Sequence, residues 1–134
     1  MRIFLDTNVL ASGIATRGLC SELLESILGE HELLICEPVL GELQRVLTVK
    51  FRMPETLARE FIDMLKTEGV SVSATGNLAL QISDAEDGRI LACAAVARPD
   101  FIVTGDRELL NLGAVNNIPV ISPRQLWLKL AGLG

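Results

Sequence analysis

The sequence predicts an α/β fold, a three-layer α/β/α sandwich with a central parallel sheet. Short apolar runs of strand character alternate with segments of helical period, glycines and prolines mark where one gives way to the other, and acids stand at the ends of two strands. Parallel strands buried on both faces and joined by right-handed helical crossovers account for that alternation.

Arg2 to Asp6 reads as a short buried strand. A helix follows over Leu19 to Leu28, with Leu23, Leu24, Ile27 and Leu28 inward and Gly29 as its end. Leu33 to Cys36 is a second strand, closed by Glu37-Pro38, and Pro38 suits the first turn of a helix running to Val49. Pro54 to Glu68 is a helix with Leu57, Phe61, Met64 and Leu65 on its inner stripe. Val70 to Ala74 is a strand, Asp84 to Ala97 a helix, Phe101 to Val103 a strand, and Pro119 to Ile121 a last strand before a helix begun at Pro123.

The chain has 134 residues, 49% of them apolar, with a mean hydropathy of +0.40, enough for one buried core despite a formal net charge of -5. We expect one domain over residues 1–134. The first residues pass straight into a strand, which predicts no secretion signal, and the longest apolar stretch, Ile90 to Ala97, falls far short of the ~20 residues that cross a bilayer. A cytoplasmic location is expected, with Cys20, Cys36 and Cys93 as reduced thiols. His31 is the only histidine, so a structural zinc site lacks ligands and no Ser-His-Asp set reads from the sequence.

Any metal must then be held by oxygen, and the acids are placed for it. Glu42 borders the apolar stripe of Val39, Leu43 and Val46, where a carboxylate needs a partner. Asp87 precedes Ile90, Leu91 and Ala94 on an inward face, and Asp84 lies one turn earlier. For Asp84 a structural reading is as good, because Ser83 and Glu86 match a capping box and first-turn acids suit the helix dipole. Asp6 and Asp106 each follow a strand, and each reads equally well as a turn or N-cap aspartate. Together the four converge on one crevice beyond the strand ends. Carboxylates about 5 Å apart repel by roughly 3 kcal/mol at an effective dielectric near 20, so such a cluster needs a counter-charge, and one or two Mg²⁺ or Mn²⁺ ions fit. Water activated by such ions hydrolyses phosphodiesters.

The chain resembles the PIN-domain nucleases, in particular the stand-alone prokaryotic, VapC-like type that acts as the toxin of a toxin–antitoxin pair. The resemblance rests on Ile3-Phe4-Leu5-Asp6-Thr7-Asn8-Val9-Leu10, on Glu42, on Asp84-x-x-Asp87-x-x-Ile90-Leu91-Ala92-x-Ala94, and on Val103-Thr104-Gly105-Asp106-x-x-Leu109-Leu110. It implies metal-binding and catalytic roles for Asp6, Glu42, Asp87 and Asp106, an auxiliary acid in Asp84, and supporting hydrogen bonds from Thr7, Asn8 and Thr104. It also implies single-stranded or structured RNA as substrate, cleavage to a 5′-phosphate and a 3′-hydroxyl, a homodimer, and a small antitoxin partner. Glu108 stands where many relatives carry a further aspartate.

A sequence pI near 4.8 is unlike the basic footprint of nucleic-acid binders, which the site acids explain in part. Arg17, Arg45, Lys50, Arg52, Arg89 and Arg107 lie near the motif-bearing segments and are the candidate phosphate contacts. Two other readings stand beside this one. A receiver or haloacid-dehalogenase-type phosphotransfer domain also gathers acids at strand ends, but Asn8 holds the place of the second aspartate and no lysine closely follows Phe101 to Val103. A non-catalytic PIN-like protein-interaction module would instead use Trp127 and Leu128 as anchors, although core packing is the better reading of both.

Overall fold

The structure, a computed structural model, describes residues 1–73 and 85–133, and for 85–90 the backbone alone. Its elements run β1 (Arg2–Leu5), α1 (Thr7–Ala15), α2 (Leu19–Glu30), β2 (Glu32–Ile35), α3 (Glu37–Arg45), a π-helical turn (Val46–Lys50), α4 (Glu55–Glu68), β3 (Val70–Ser71), α5 (Ala85–Ala97), β4 (Phe101–Val103), α6 (Arg107–Leu112), β5 (Ala114–Val115), β6 (Ile118–Ile121) and α7 (Pro123–Leu130). The strands form one sheet in the order β3-β2-β1-β4-β6-β5, parallel throughout except for β5, which pairs antiparallel with β6. Helices flank it as expected of a three-layer sandwich.

That order places the site. The chain builds outward from β1 through β2 to β3, then returns to add β4 on β1's other side, so the direction of winding reverses between β1 and β4. Loops leaving two such strands diverge and open a crevice at their carboxyl ends. Leu5 pairs with Val103 and Val103 with Ile121, so the residues after β1, β4 and β6 emerge side by side.

β1 is the hydrophobic centre. Ile3 and Phe4 are fully buried, as Leu33, Leu34 and Ile35 of β2 and Ile102 and Val103 of β4 nearly are. This is the continuous apolar run of a strand covered on both faces rather than an alternating one. Among the described residues no helix is long and apolar enough to cross a membrane. All three cysteines are free, and burial together with the neighbouring Cys93 thiol pushes the Cys36 thiol up to about 12, so it stays protonated and inert.

Several elements depart from the expectations. Helix α1 was not foreseen: its Val9, Leu10 and Ala11 are buried, but at nine residues it is too short for a periodicity to declare itself. Helix α2 continues through Gly29 to Glu30. The helix expected to reach Val49 is α-helical only to Arg45. There the Thr48 hydroxyl donates to the carbonyl of Gln44 at 2.9 Å, and Phe51 N–H donates back to Val46 at 3.2 Å, widening the last turn. In α4 the inner stripe is Ala58, Ile62 and Leu65, while Leu57 is 41% exposed and Phe61 and Met64 are half-buried. Two adjacent stripes of that helix are apolar, and the one of Ala58, Ile62 and Leu65 is the one that packs inward. Strand β5 was also missed, although Asn116 and Asn117, at φ 49° and 67°, form the left-handed pair that a tight hairpin requires. The strand expected over Val70 to Ala74 is described for Val70–Ser71, and Ala74 lies outside the described residues.

Candidate active site

Asp6 is the first residue past β1 and caps helix α1: its Oδ1 accepts from Val9 N–H at 3.0 Å. Its own N–H donates to the carbonyl of Val103 at 3.0 Å, which ties it to the end of β4. There stands Thr104, fully buried, whose N–H donates to Ile121 O at 3.0 Å. The Thr104 hydroxyl donates to Asp6 Oδ2 and accepts from Asp106 N–H at 3.0 Å. Asp106 in turn caps α6, its Oδ1 accepting from Glu108 N–H at 2.8 Å and Leu109 N–H at 3.3 Å.

One hydroxyl therefore joins the two acids, and its polarity is set. The Asp106 amide occupies a lone pair of Thr104 Oγ1, and the single hydroxyl proton points at Asp6. Both Asp6 oxygens thus accept an internal hydrogen bond, which holds the carboxylate in one orientation while leaving each oxygen a further lone pair. Replacing Thr104 by valine keeps the shape and removes the bridge. We expect it to weaken divalent-ion affinity or activity by about 10- to 100-fold, and serine to restore most of the loss, as read by metal titration of the three proteins.

Electrostatics distinguish Asp6 from an ordinary capping aspartate. Burial pushes its carboxyl above the usual carboxylate range, the Thr104 and Val9 hydrogen bonds pull it partly back, and the nearby Asp106 charge raises it again. A buried carboxyl facing a second acid is the environment in which a cation is most strongly favoured. The Cys20 thiol, on the first turn of α2, is pushed up by burial and then by the Asp6 charge.

Across from Asp6, Glu42 on α3 is half-buried, with its Oε2 below the surface, where Val39 and Leu43 set the depth of the helix. Asp6, Thr7, Asn8 and Glu42 line one cleft over an apolar floor of Phe4, Leu91, Ile102 and Leu109. Its volume is about 20 Å³, room for an ion or a single water and no more. Thr7, 3% exposed, brings to it a hydroxyl that makes no hydrogen bond in the protein. A buried orphan hydroxyl costs about 1–3 kcal/mol, which a ligand in the cleft would offset. The donors are all oxygen or amide, the set that suits a hard divalent cation.

Among the described residues no group of three or more acidic, cysteine or histidine side chains is close enough to hold a metal by itself. Asp6 and Glu42 share the cleft, and Asp106 stands behind Thr104. Asp84 lies outside the described residues, and so does the side chain of Asp87, whose backbone stands in α5 four residues before the cleft-lining Leu91. The apolar floor was not among the sequence candidates. Its signal was the unbroken burial of β1 and β4, which reads as core.

Of the candidate phosphate contacts, Arg17 is exposed between α1 and α2, Arg45 is exposed on α3, and Arg107 is exposed at the start of α6. Lys50 places its Nζ 5.7 Å from the Phe51 ring centroid, and Arg52 is exposed with a left-handed backbone, φ 54°. Arg89 is in α5, its side chain outside the described residues.

The PIN domain family model matches residues 2–108. No curated protein matches the sequence. Among solved structures, the chain is similar to a chain in the crystal structure of VapBC2 from Rickettsia felis bound to a DNA fragment from their promoter. The TM-score is 0.65 at 14% identity, covering 91% of this chain and 98% of that one. At that identity the likeness speaks for the fold.

Proposed function

The chain belongs to the PIN domain family, and from that premise we propose that it is a metal-dependent endoribonuclease, the toxin of a toxin–antitoxin pair. The observation that carries the reading is the Asp6–Thr104–Asp106 chain at the reversal point of the sheet, facing Glu42 and the orphan Thr7 hydroxyl across a cleft of ionic size.

Asp6 and Glu42 would hold Mg²⁺ or Mn²⁺ directly, with Asp106 and Asp87 completing the charge around one or two ions and Asp84 as an auxiliary acid. A bound ion of this kind polarises the phosphoryl oxygen and lowers the pKa of water near it. Thr104 fixes the Asp6 carboxylate, and Thr7 and Asn8 offer the cleft a hydroxyl and an amide. The apolar floor keeps bulk water away from the carboxylates, which strengthens every charge interaction above it. Arg17, Arg45, Lys50, Arg52, Arg89 and Arg107 would meet the RNA backbone. The formal -5 of the chain would be largely offset by two divalent ions, which would ease the approach of a polyanion.

An antitoxin partner is supported by the likeness to a VapBC2 chain, and a homodimer and a cytoplasmic setting follow from the same reading. Purified protein incubated with mixed RNA and Mn²⁺ should cleave it to 5′-phosphate ends, and EDTA should stop the cleavage. Cleavage that survives EDTA would remove the basis for the reading.

A further inference from the structure

We propose that the pocket between the start of α2 and the outer face of α7, with Trp127 as its platform, is a subsite for one nucleotide of single-stranded RNA leaving the carboxylate cleft. This rests on the nuclease reading above and extends it to how the substrate is held.

The pocket has the size the cleft lacks. Gly18, Leu19, Glu22, Arg124, Trp127 and Leu128 line a cavity of about 380 Å³, within the range that takes a small organic ligand, whereas the cleft at Asp6 holds about 20 Å³. A cleft of that size suits an ion or a water, so a substrate base is better received beside it. Trp127 offers an indole 41% exposed, and Leu19 next to it is 38% exposed.

The pocket also lies on the correct edge of the sheet. Helix α7 starts two residues after Ile121, whose carbonyl accepts from the N–H of Thr104 at 3.0 Å, so its first turn opens next to the hydroxyl that joins Asp6 to Asp106. The other wall, α2, is held against the helix that Asp6 caps: a Cβ on Gly13 of α1 would lie 3.0 Å from the carbonyl oxygen of Cys20. The α7 wall therefore begins beside the acids, and the first turn of α2 carries Cys20, whose thiol feels the Asp6 charge.

Its chemistry fits a nucleotide. Every base has a face that stacks on indole, and Arg124 stands one turn before Trp127 on the same helix. Helix α2 begins at Gly18 without a side-chain cap, at φ 147°, a conformation that L side chains rarely adopt. Its first-turn N–H groups and Arg17 thus present positive potential to a phosphate, whereas the first turn of α7 is closed by the Ser122–Gln125 capping box. Glu22 has the wrong sign for phosphate but is an acceptor for a 2′-hydroxyl or a base amine, and so favours RNA. A docked peptide helix would want one continuous apolar groove. Here the lining carries Glu22 and Arg124, and Trp127 and Glu22 also line a smaller neighbouring cavity of about 210 Å³.

The test uses the protein's own probe, because Trp127 is the only tryptophan and there is no tyrosine. A single-stranded oligoribonucleotide of mixed sequence is titrated into the full chain in EDTA. Tryptophan fluorescence should be quenched saturably, with binding about tenfold weaker in Arg124→Ala. In Mn²⁺, Trp127→Ala should raise KM for RNA cleavage about tenfold with a smaller change in kcat, and Trp127→Phe should recover most of the loss. Unchanged fluorescence at RNA concentrations that saturate cleavage overturns the subsite, as does a response to an added protein partner but not to RNA. If the wild type fails to cleave RNA while the quench persists, the nuclease reading falls and the pocket stands. If cleavage persists without a quench, the reverse holds.

Discussion

Asp6→Asn is expected to lower Mn²⁺-dependent RNA cleavage on the order of a thousandfold, the rate equivalent of several kcal/mol of lost charge stabilisation, while leaving the protein folded. The substitution is nearly isosteric and its consequences can be followed atom by atom. The amide oxygen of asparagine can still accept from Val9 N–H, so the cap of α1 survives. Its NH₂ then faces Thr104 Oγ1, whose proton loses its acceptor while Asp106 N–H keeps its own. The charge that would hold a cation is gone.

Stability should move the other way. Burial, then the Asp106 charge, raise the Asp6 carboxyl in the fold. Its contribution to stability is therefore present at low pH and lost as pH rises through its folded value. At neutral pH and without metal, the asparagine variant is expected to melt at or above the wild type. Initial rates in Mn²⁺ and EDTA, with melts of both proteins, test the two halves separately. A variant that cleaves as fast as the wild type would show that Asp6 is only a helix cap.

The largest loss of stability is expected from Phe4→Ala, about 3–5 kcal/mol by urea denaturation. Phe4 is fully buried in β1, flanked by β2 and β4, and forms part of the floor of the cleft. No smaller neighbour can collapse into the space, because Leu34 and Ile102, its partners in register, are themselves held by their strands. Against a total of about 5–15 kcal/mol for a typical domain, such a loss removes a large share of the folded state. An unchanged urea midpoint would place the core elsewhere.

The sheet and most helices were legible because burial on both faces leaves an unbroken apolar run, and surface helices such as the twelve-residue α2 and the fourteen-residue α4 carry a period. The elements that were not legible are those that signal weakly: α1, nearly apolar all round, and the two-residue β5. In α4 Leu65 is inward as the sequence predicts, but the centre of the buried face lies on Ala58 and Ile62 rather than Leu57, because two neighbouring stripes are apolar and only packing chooses between them.

The candidate site shows the complementary difficulty. Asp6 and Asp106 each read equally as caps, and in the structure each is one. A cap uses Oδ1, so capping does not compete with ligation, and local sequence could not separate the two roles. Separating them takes the strand order, which brings residues 98 positions apart to one hydroxyl. Trp127 reads in the sequence as core packing more readily than as an anchor, but it is 41% exposed and borders a cavity, because the outer face of α7 is left uncovered there.

The most direct measurement is a calorimetric titration of Mn²⁺ into the wild type and Asp6→Asn over a series of pH values. Because binding must displace a proton from an acid held above the usual carboxylate range, wild-type affinity should weaken as pH falls, beginning above that range, and the asparagine variant should bind far more weakly throughout. Equal binding by the two proteins, or no heat from the wild type at millimolar Mn²⁺, would contradict a metal centre built on Asp6.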